Sequence, residues 1–349
     1  MAIISFFLII SCLILIHELG HFFSARWLNV PVHELGIGFP PRIFSFKKGN
    51  TLYSLNLFFI GGFVRLRGEE DPNIPNGFAN QNIFKRAFII SSGSLVNLAL
   101  PILLFTIIAV IPKHIIIGDI TIQEVASGSP ADVSGLQIND HIVAINGKRI
   151  KTIHDVSTSI LENPNKPIIV IVNRSGENIE TNLVPRRLPP EGEGPTGIRI
   201  TIKNPKPHRV QDPLWKAPIT GFTRTLNTIN LIGSEIGRWI TGDSTPELTG
   251  PIGIARLTGD VAKSGIIPLL ELTALLSLNL GIINLLPIPM LDGGKLFFLA
   301  IEFGRKGRRI SPKRESLVHF LGLVLLVSIL IMVSYNDLIK LFSGEEAIR

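Results

Sequence analysis

The chain of 349 residues has one cysteine, Cys12, so no disulfide can form within it and cysteine usage does not reveal its redox compartment. It has no basic stripe with interleaved aromatic residues, and its net charge of +7 therefore does not point to nucleic acid. Charge is missing altogether from residues 1–16. No basic region precedes that apolar run and no small-residue cleavage site follows it, so a retained transmembrane helix is expected rather than a signal peptide.

What the chain does have is apolar length. At 46% hydrophobic and 17% charged residues it is too apolar for an ordinary soluble domain, yet leaves room for one water-exposed module. Residues 2–24, 87–111, 269–291 and 317–333 are each long enough to span the hydrocarbon core. The expected architecture is a multi-pass α-helical membrane protein with four transmembrane helices, a membrane-associated β-hairpin and one inserted β-rich domain. Residues 1–112 and 266–349 form the membrane core, 113–204 the β-rich domain and 205–265 an amphipathic-helix segment. Eight Lys or Arg lie in residues 26–86 and seven in 295–314, which places both loops in the cytosol and both termini outside.

The first span ends in His17-Glu18-Leu19-Gly20-His21. Histidines four apart share one helix face, about 6 Å apart, so both imidazoles can reach one Zn²⁺. A glutamate beside the first ligand can take a proton from water at the metal. Ionisable residues inside an apolar helix are a functional-site hypothesis in their own right. A catalytic zinc needs a third ligand, and Asp292 ends another long uncharged run. In the expected orientation both sets of ligands lie near cytosolic ends, at comparable depth.

Residues 51–67 alternate in part and carry a Gly61-Gly62 break, suggesting short strands paired as a hairpin. In the second span Ser91, Ser92, Gly93 and Ser94 read as small residues that let helices approach, while Asn97 needs a partner for its amide. Strand-like runs occupy 120–125, 141–145, 168–172 and 198–202. Residues 128–150, ending in Ile145-Asn146-Gly147, resemble bacterial PDZ domains, which bind an extended peptide or C-terminus along a sheet edge. Ile219, Phe222, Leu226, Ile229, Ile232, Ile236 and Ile240 recur at helical spacing, as in a helix lying on the outer membrane surface or on the spans. The Thr249-Gly250-Pro251-Ile252-Gly253 turn is expected to lead into the third span. His141 and His154 read as surface or packing residues, and His319 as a packing or interface residue.

With both ends of the site in view, the sequence resembles the site-2 protease family of intramembrane zinc metalloproteases, in its bacterial form with one PDZ domain. The resemblance rests on the His-Glu-Leu-Gly-His motif, on residues 61–69, on the PDZ-like insertion, on residues 250–253 and on Asn284 through Gly293. The family's Gly-Pro-x-x-Asn motif reads Gly93-Ser94-Leu95-Val96-Asn97, with Ser94 in place of proline. The resemblance implies hydrolysis of peptide bonds within or beside transmembrane segments, as in regulated intramembrane proteolysis of anti-sigma factors or remnant signal peptides. It implies zinc on His17, His21 and Asp292, Glu18 as the base, and Asn284 and Asn97 on the unwound substrate or its oxyanion. Pro287 and Pro289 break the third span just before Asp292 and free backbone carbonyls beside the site. Location in a bacterial cytoplasmic membrane, with the PDZ domain outside, follows from the same resemblance. The partners are then the lipid bilayer, transmembrane substrates and a peptide or C-terminus at the PDZ domain, with no nucleic acid. The alternative is a catalytically inactive membrane scaffold that binds peptides through its PDZ domain.

Overall fold

An uncharged run in lipid must satisfy its own backbone hydrogen bonds, and a helix does so locally. The computed structural model describes residues 2–69, 71, 73–187, 189–190, 192–242 and 249–343. Among these, four helical stretches are long and apolar enough to cross a membrane: Ile4–Trp27, Ile83–Val110, Ile266–Leu285 and Lys313–Phe342. The chain divides into two compact units, one of Met1–Val110 with Asp212–Arg349 and the other of Ile111–Gln211.

Helix α1, Ala2–Trp27, leads into strands β1, Val32–Lys48, and β2, Thr51–Leu66. The strands pair antiparallel around Gly49 and Asn50. The expected hairpin turn at Gly61-Gly62 is therefore corrected: both glycines lie inside β2. The reason is local, because each strand doubles over and residues 34–37 pair on both sides, with 52–55 and with 62–65. Gly61 takes φ +90° at the bend of β2, and a Cβ on Gly62 would come within 2.8 Å of the Gly36 carbonyl oxygen. The exposed tip carries Phe39, Phe44, Phe58 and Phe59. Ser11 Oγ donates to the Phe59 carbonyl at 2.7 Å, which sets the tip beside α1 roughly 24 Å back from Trp27.

Helix α2, Ile83–Val110, crosses α1 closely: a Cβ on Gly20 would lie 2.7 Å from the Ser92 carbonyl oxygen, and the hydroxyls of Ser24 and Ser92 are 2.7 Å apart. Phe22, Ala25, Val32, Ile89, Ile90 and Leu299 pack into one buried cluster at that end.

In the second unit the elements are β3, Lys113–Val125; α3, Pro130–Val133; β4, His141–Ile145; β5, Lys148–Arg149; α4, Ile153–Leu161; β6, Ile168–Arg174; β7, Glu177–Leu183; and β8, Ile198–Val210. The antiparallel sheet has the order β7-β6-β4-β3-β8, with β5 paired to β4. Alternating Ile120, Ile122, Ile142, Ile168, Val170 and Val172 fill its core. Thr152 opens α4 with a capping box closed by Asp155. Strand β8 does not stop at Pro205: it stays paired with β3 as far as Lys113 opposite Val210, so the chain enters and leaves the unit as one ribbon.

The chain continues through α5, Ala217–Thr241; α6, Pro251–Lys263; α7, Ile266–Leu285; α8, Asp292–Gly304; and α9, Pro312–Ser343. Residues 243–248 of the expected 205–265 segment lie outside the described residues. Helix α5 rests on α2 through its small residues, Ala217, Gly221 and Thr225, while Ile219, Phe222 and Ile240 of the apolar stripe face outward. The expected turn into the third span is instead a helix: Pro251 occupies the first turn of α6, where a missing N–H costs nothing. Asp337 of α9 accepts from the Gly250 and Gly253 amides at 3.2 and 2.8 Å, tying α6 to α9.

Proline also explains how α7 meets α2. Pro101 cannot donate to the Asn97 carbonyl one turn back, and Ser277 Oγ of α7 fills that place at 2.7 Å. The third span then ends at Leu285, six residues short of its expected limit, because Pro287 and Pro289 cannot continue the helix.

Candidate metal centre

Three side chains from two distant parts of the sequence converge beneath α2. The two imidazole Nε2 atoms of His17 and His21 are 3.1 Å apart, and Asp292 Oδ2 lies 3.0 and 3.1 Å from them. All three side chains are at most 15% exposed. A tetrahedral zinc ion with ligands at 2.0–2.1 Å requires donor atoms about 3.3 Å apart, so an expansion of a few tenths of an ångström separates this triangle from a zinc site. Asp292 Oδ2 is buried and receives no hydrogen bond, although two ring nitrogens stand beside it. Each of the three residues offers one ligand atom, and the atoms lie close enough together to suit a single cation.

The outer nitrogens fix how each ring is used. His21 Nδ1 donates to the Ile89 carbonyl at 2.8 Å, leaving the Nε2 lone pair for a metal. His17 Nδ1 lies 3.4 Å from the Asn97 amide, which is fully buried and whose Oδ1 has no partner. Turning that carboxamide over lets Oδ1 accept from Nδ1–H, which removes the orphaned oxygen and frees Nε2 of His17 in the same way.

Gly93 takes a larger part than its sequence reading allowed. A Cβ there would lie 2.5 Å from His21 Nε2 and 2.8 Å from His17 Nε2, so any other residue would intrude on the donors themselves. Its place in the Gly-Ser-x-x-Asn stretch was the one available signal.

Glu18 follows His17 and lines a cavity of about 330 Å³ together with Phe63, Met290, Asp292 and Lys295. Its carboxylate makes no hydrogen bond among the described residues. Strand β2 runs alongside, with the Cβ position of Gly62 3.7 Å from Glu18 Cγ. Asn284, in the last turn of α7, is half-buried and likewise makes no side-chain hydrogen bond among the described residues. Pro287 and Pro289 lie in the loop between α7 and α8. That loop passes so close over α8 that a Cβ on Gly293 would sit 2.0 Å from the Leu286 carbonyl oxygen, and one on Gly294 2.5 Å from that of Ile288.

Comparison with known proteins agrees with this chemistry. The profile of Peptidase family M50 matches residues 5–329. The zinc metalloprotease RasP of Geobacillus kaustophilus is 29% identical over 98% of both chains. The protein of that name from Oceanobacillus iheyensis is 28% identical over 97% of this chain and 99% of its own. The regulator of sigma-W protease RasP of Bacillus subtilis is 27% identical over the same shares. A match across both apolar halves and the sheet-bearing insertion leaves one assignment: the chain belongs to Peptidase family M50 and is a membrane zinc metalloprotease.

Proposed function

We propose that His17, His21 and Asp292 hold the zinc ion, that Glu18 is the general base, and that the substrate is a transmembrane segment cleaved within or beside the bilayer. The observation carrying this reading is the meeting of donors from α1 and the start of α8 within 3.1 Å of one another, with Glu18 turned into the adjoining cavity. Bound zinc supplies Lewis acidity, making water a nucleophile near neutral pH and drawing charge from a carbonyl oxygen. Glu18 accepts the proton lost by the attacking water and returns it to the departing amine nitrogen. Asn97 holds the His17 tautomer through Nδ1, a positioning part in place of the direct substrate contact that the family resemblance implies.

A helical substrate hides its amides in its own hydrogen bonds, so it must open locally before attack. The residues 62–66 of β2 border the cavity through Phe63, Val64 and Leu66, and strand addition there would satisfy the opened backbone. The free Asn284 amide and the Pro287–Pro289 loop stand ready for the same segment. Residues 113–204 act as a PDZ domain, a reading supported by β8 at the sheet edge beside α4, where an extended peptide or C-terminus can add as a further strand. Residues 1–112 and 266–349 form the protease core, with α5 packed on α2 and α6 on α1. Both basic loops then face the cytosol of a bacterial cytoplasmic membrane, both termini and the PDZ domain lie outside, and regulated intramembrane proteolysis is the process served.

Glu18→Gln tests the assignment. The variant is expected to retain zinc and to lose about 10²–10⁴-fold in cleavage of a transmembrane substrate in detergent. Undiminished cleavage would remove Glu18 from the mechanism, and loss of zinc together with activity would make it a ligand instead.

A further inference from the structure

Helix α9 is the span with the least buried surface, yet one polar ring on it is turned inward. His319 is 16% exposed, and its ring lies 5.4 Å from the Phe298 ring of α8 at a tilt of 52°. Its Nδ1 accepts the backbone N–H of Met290 at 2.8 Å. Met290 lies two residues before Asp292 and has φ +80°, a conformation that L side chains rarely adopt. The chain must reverse there between the Pro287–Pro289 segment and the first turn of α8, and the Met290 amide is left without a helical acceptor. At membrane depth such an amide needs a partner from a neighbouring element.

One turn along α9, on the same face, Gly322 meets the same loop. A Cβ on Gly322 would lie 2.4 Å from Pro289 Cβ and 2.9 Å from the Pro289 carbonyl oxygen. Helix α9 thus grips the loop at two successive points, by an acceptor on Met290 and by close approach to Pro289. The packing role expected of His319 holds against Phe298, and the hydrogen bond to Met290 adds a specific contact to it.

We propose that His319 is a positioning residue for the metal centre: by fixing the Met290 amide, with Gly322 pressed on Pro289, it sets the loop so that the Asp292 carboxylate points at His17 and His21. This rests on Asp292 being a zinc ligand. An imidazole accepting at Nδ1 carries its proton on Nε2, so the ring acts here as a neutral acceptor. Another side chain with an acceptor at that reach can substitute for it, whereas an apolar one of similar volume cannot.

The test measures zinc affinity of the full-length protein in detergent by competition with a chelator, alongside kcat and KM for a transmembrane substrate. His319→Leu is expected to weaken zinc binding and to lower kcat by about 10- to 100-fold, with KM within about twofold. His319→Asn, whose Oδ1 can take the place of Nδ1, is expected to recover most of both. Gly322→Ala, which drives a methyl into Pro289, is expected to weaken zinc binding without touching the hydrogen bond, and it serves as the second variant where His319→Leu does not fold. Wild-type zinc affinity in both His319→Leu and Gly322→Ala overturns the proposal, as does an Asn variant no better than Leu. Asp292→Asn separates the two levels. If it abolishes zinc binding while His319→Leu keeps it, only the positioning role fails; if it keeps zinc, the ligand assignment fails and this inference with it.

Discussion

Asp140 in the β unit and Asp292 in the membrane unit are both buried carboxylates, but their surroundings differ. Asp140 is 1% exposed, and Arg174 donates to its two oxygens at 2.7 Å each while the Gln137 amide donates at 2.8 Å. Asp292 Oδ2, also buried, receives no hydrogen bond. A buried charge is tolerable when paired and hydrogen-bonded and costly when not. Asp140 is therefore paired within the fold, whereas Asp292 keeps unused electron-pair capacity, as the proposed zinc ligand requires.

The sharpest way to break this contrast is Asp292→Asn. Cleavage is expected to fall by about 10³-fold or more and zinc to be lost. The zinc-free variant should melt no lower than zinc-free wild type, because an unpaired buried carboxylate has been removed. A variant that melts well below chelator-treated wild type would show Asp292 holding the fold after all. Asn97→Ala comes next. Losing the group that orients His17 Nδ1 should cost about 10- to 100-fold in zinc affinity, measured by chelator competition.

The β unit supplies the opposite result. Burial alone would raise the Asp140 carboxyl, but the Arg174 hydrogen bonds, the Gln137 amide and the Arg174 charge outweigh it and hold the carboxyl below the usual carboxylate range. Its contribution to stability is complete above the unfolded-chain value of about 3.9 and is lost as pH falls through the lower folded value. Arg174→Met removes that depression, so the acid unfolding of residues 111–211 should begin at higher pH. Amide hydrogen exchange of β4 and β6 in the full-length protein reads this directly, and zinc affinity should stay unchanged. A change in zinc affinity would show that the two units do not divide the work in this way.

The proposed ligands His17, His21 and Asp292 and the proposed base Glu18 were legible because charge is so rare in the spans that they stand out against an apolar background. Parts of β3, β4, β6 and β8 were legible by their apolar residues, whereas the largely exposed β5 and β7 were not. The hairpin register was not: β1 and β2 double over, and a residue paired on both sides leaves no period-two trace, so Gly61 and Gly62 read as a turn when they serve a bend and a close approach. Helix α6 was hidden because Gly250-Pro251 reads as a turn until the acceptor at its amino end, Asp337, is seen to come from α9. The parts proposed for Gly93, Asn97 and His319 rest on distances to other elements, which no spacing along their own helix encodes.

The smallest expected effect probes a polar contact that sits in the membrane unit yet belongs with the fold. Pro101 leaves the Asn97 carbonyl without its helical donor, and the Ser277 hydroxyl supplies one from α7 at 2.7 Å. Interhelical hydrogen bonds in membranes are worth about 0.6 kcal/mol on average, so Ser277→Ala should lower stability by roughly that much. In a Pro101→Ala background the alanine amide returns to the Asn97 carbonyl, and the serine bond becomes redundant. Ser277→Ala should then cost close to nothing, and the difference between the two backgrounds gives the coupling from a double-mutant cycle of unfolding. Zinc affinity should be nearly constant in all four proteins, because the backbone carbonyl of Asn97 holds α2 to α7 while its side chain alone faces His17. If Ser277→Ala weakened zinc as far as Asn97→Ala does, then holding the chain and holding the metal would be one task at this residue, and the contrast between Asp140 and Asp292 would not extend to the helices behind the site.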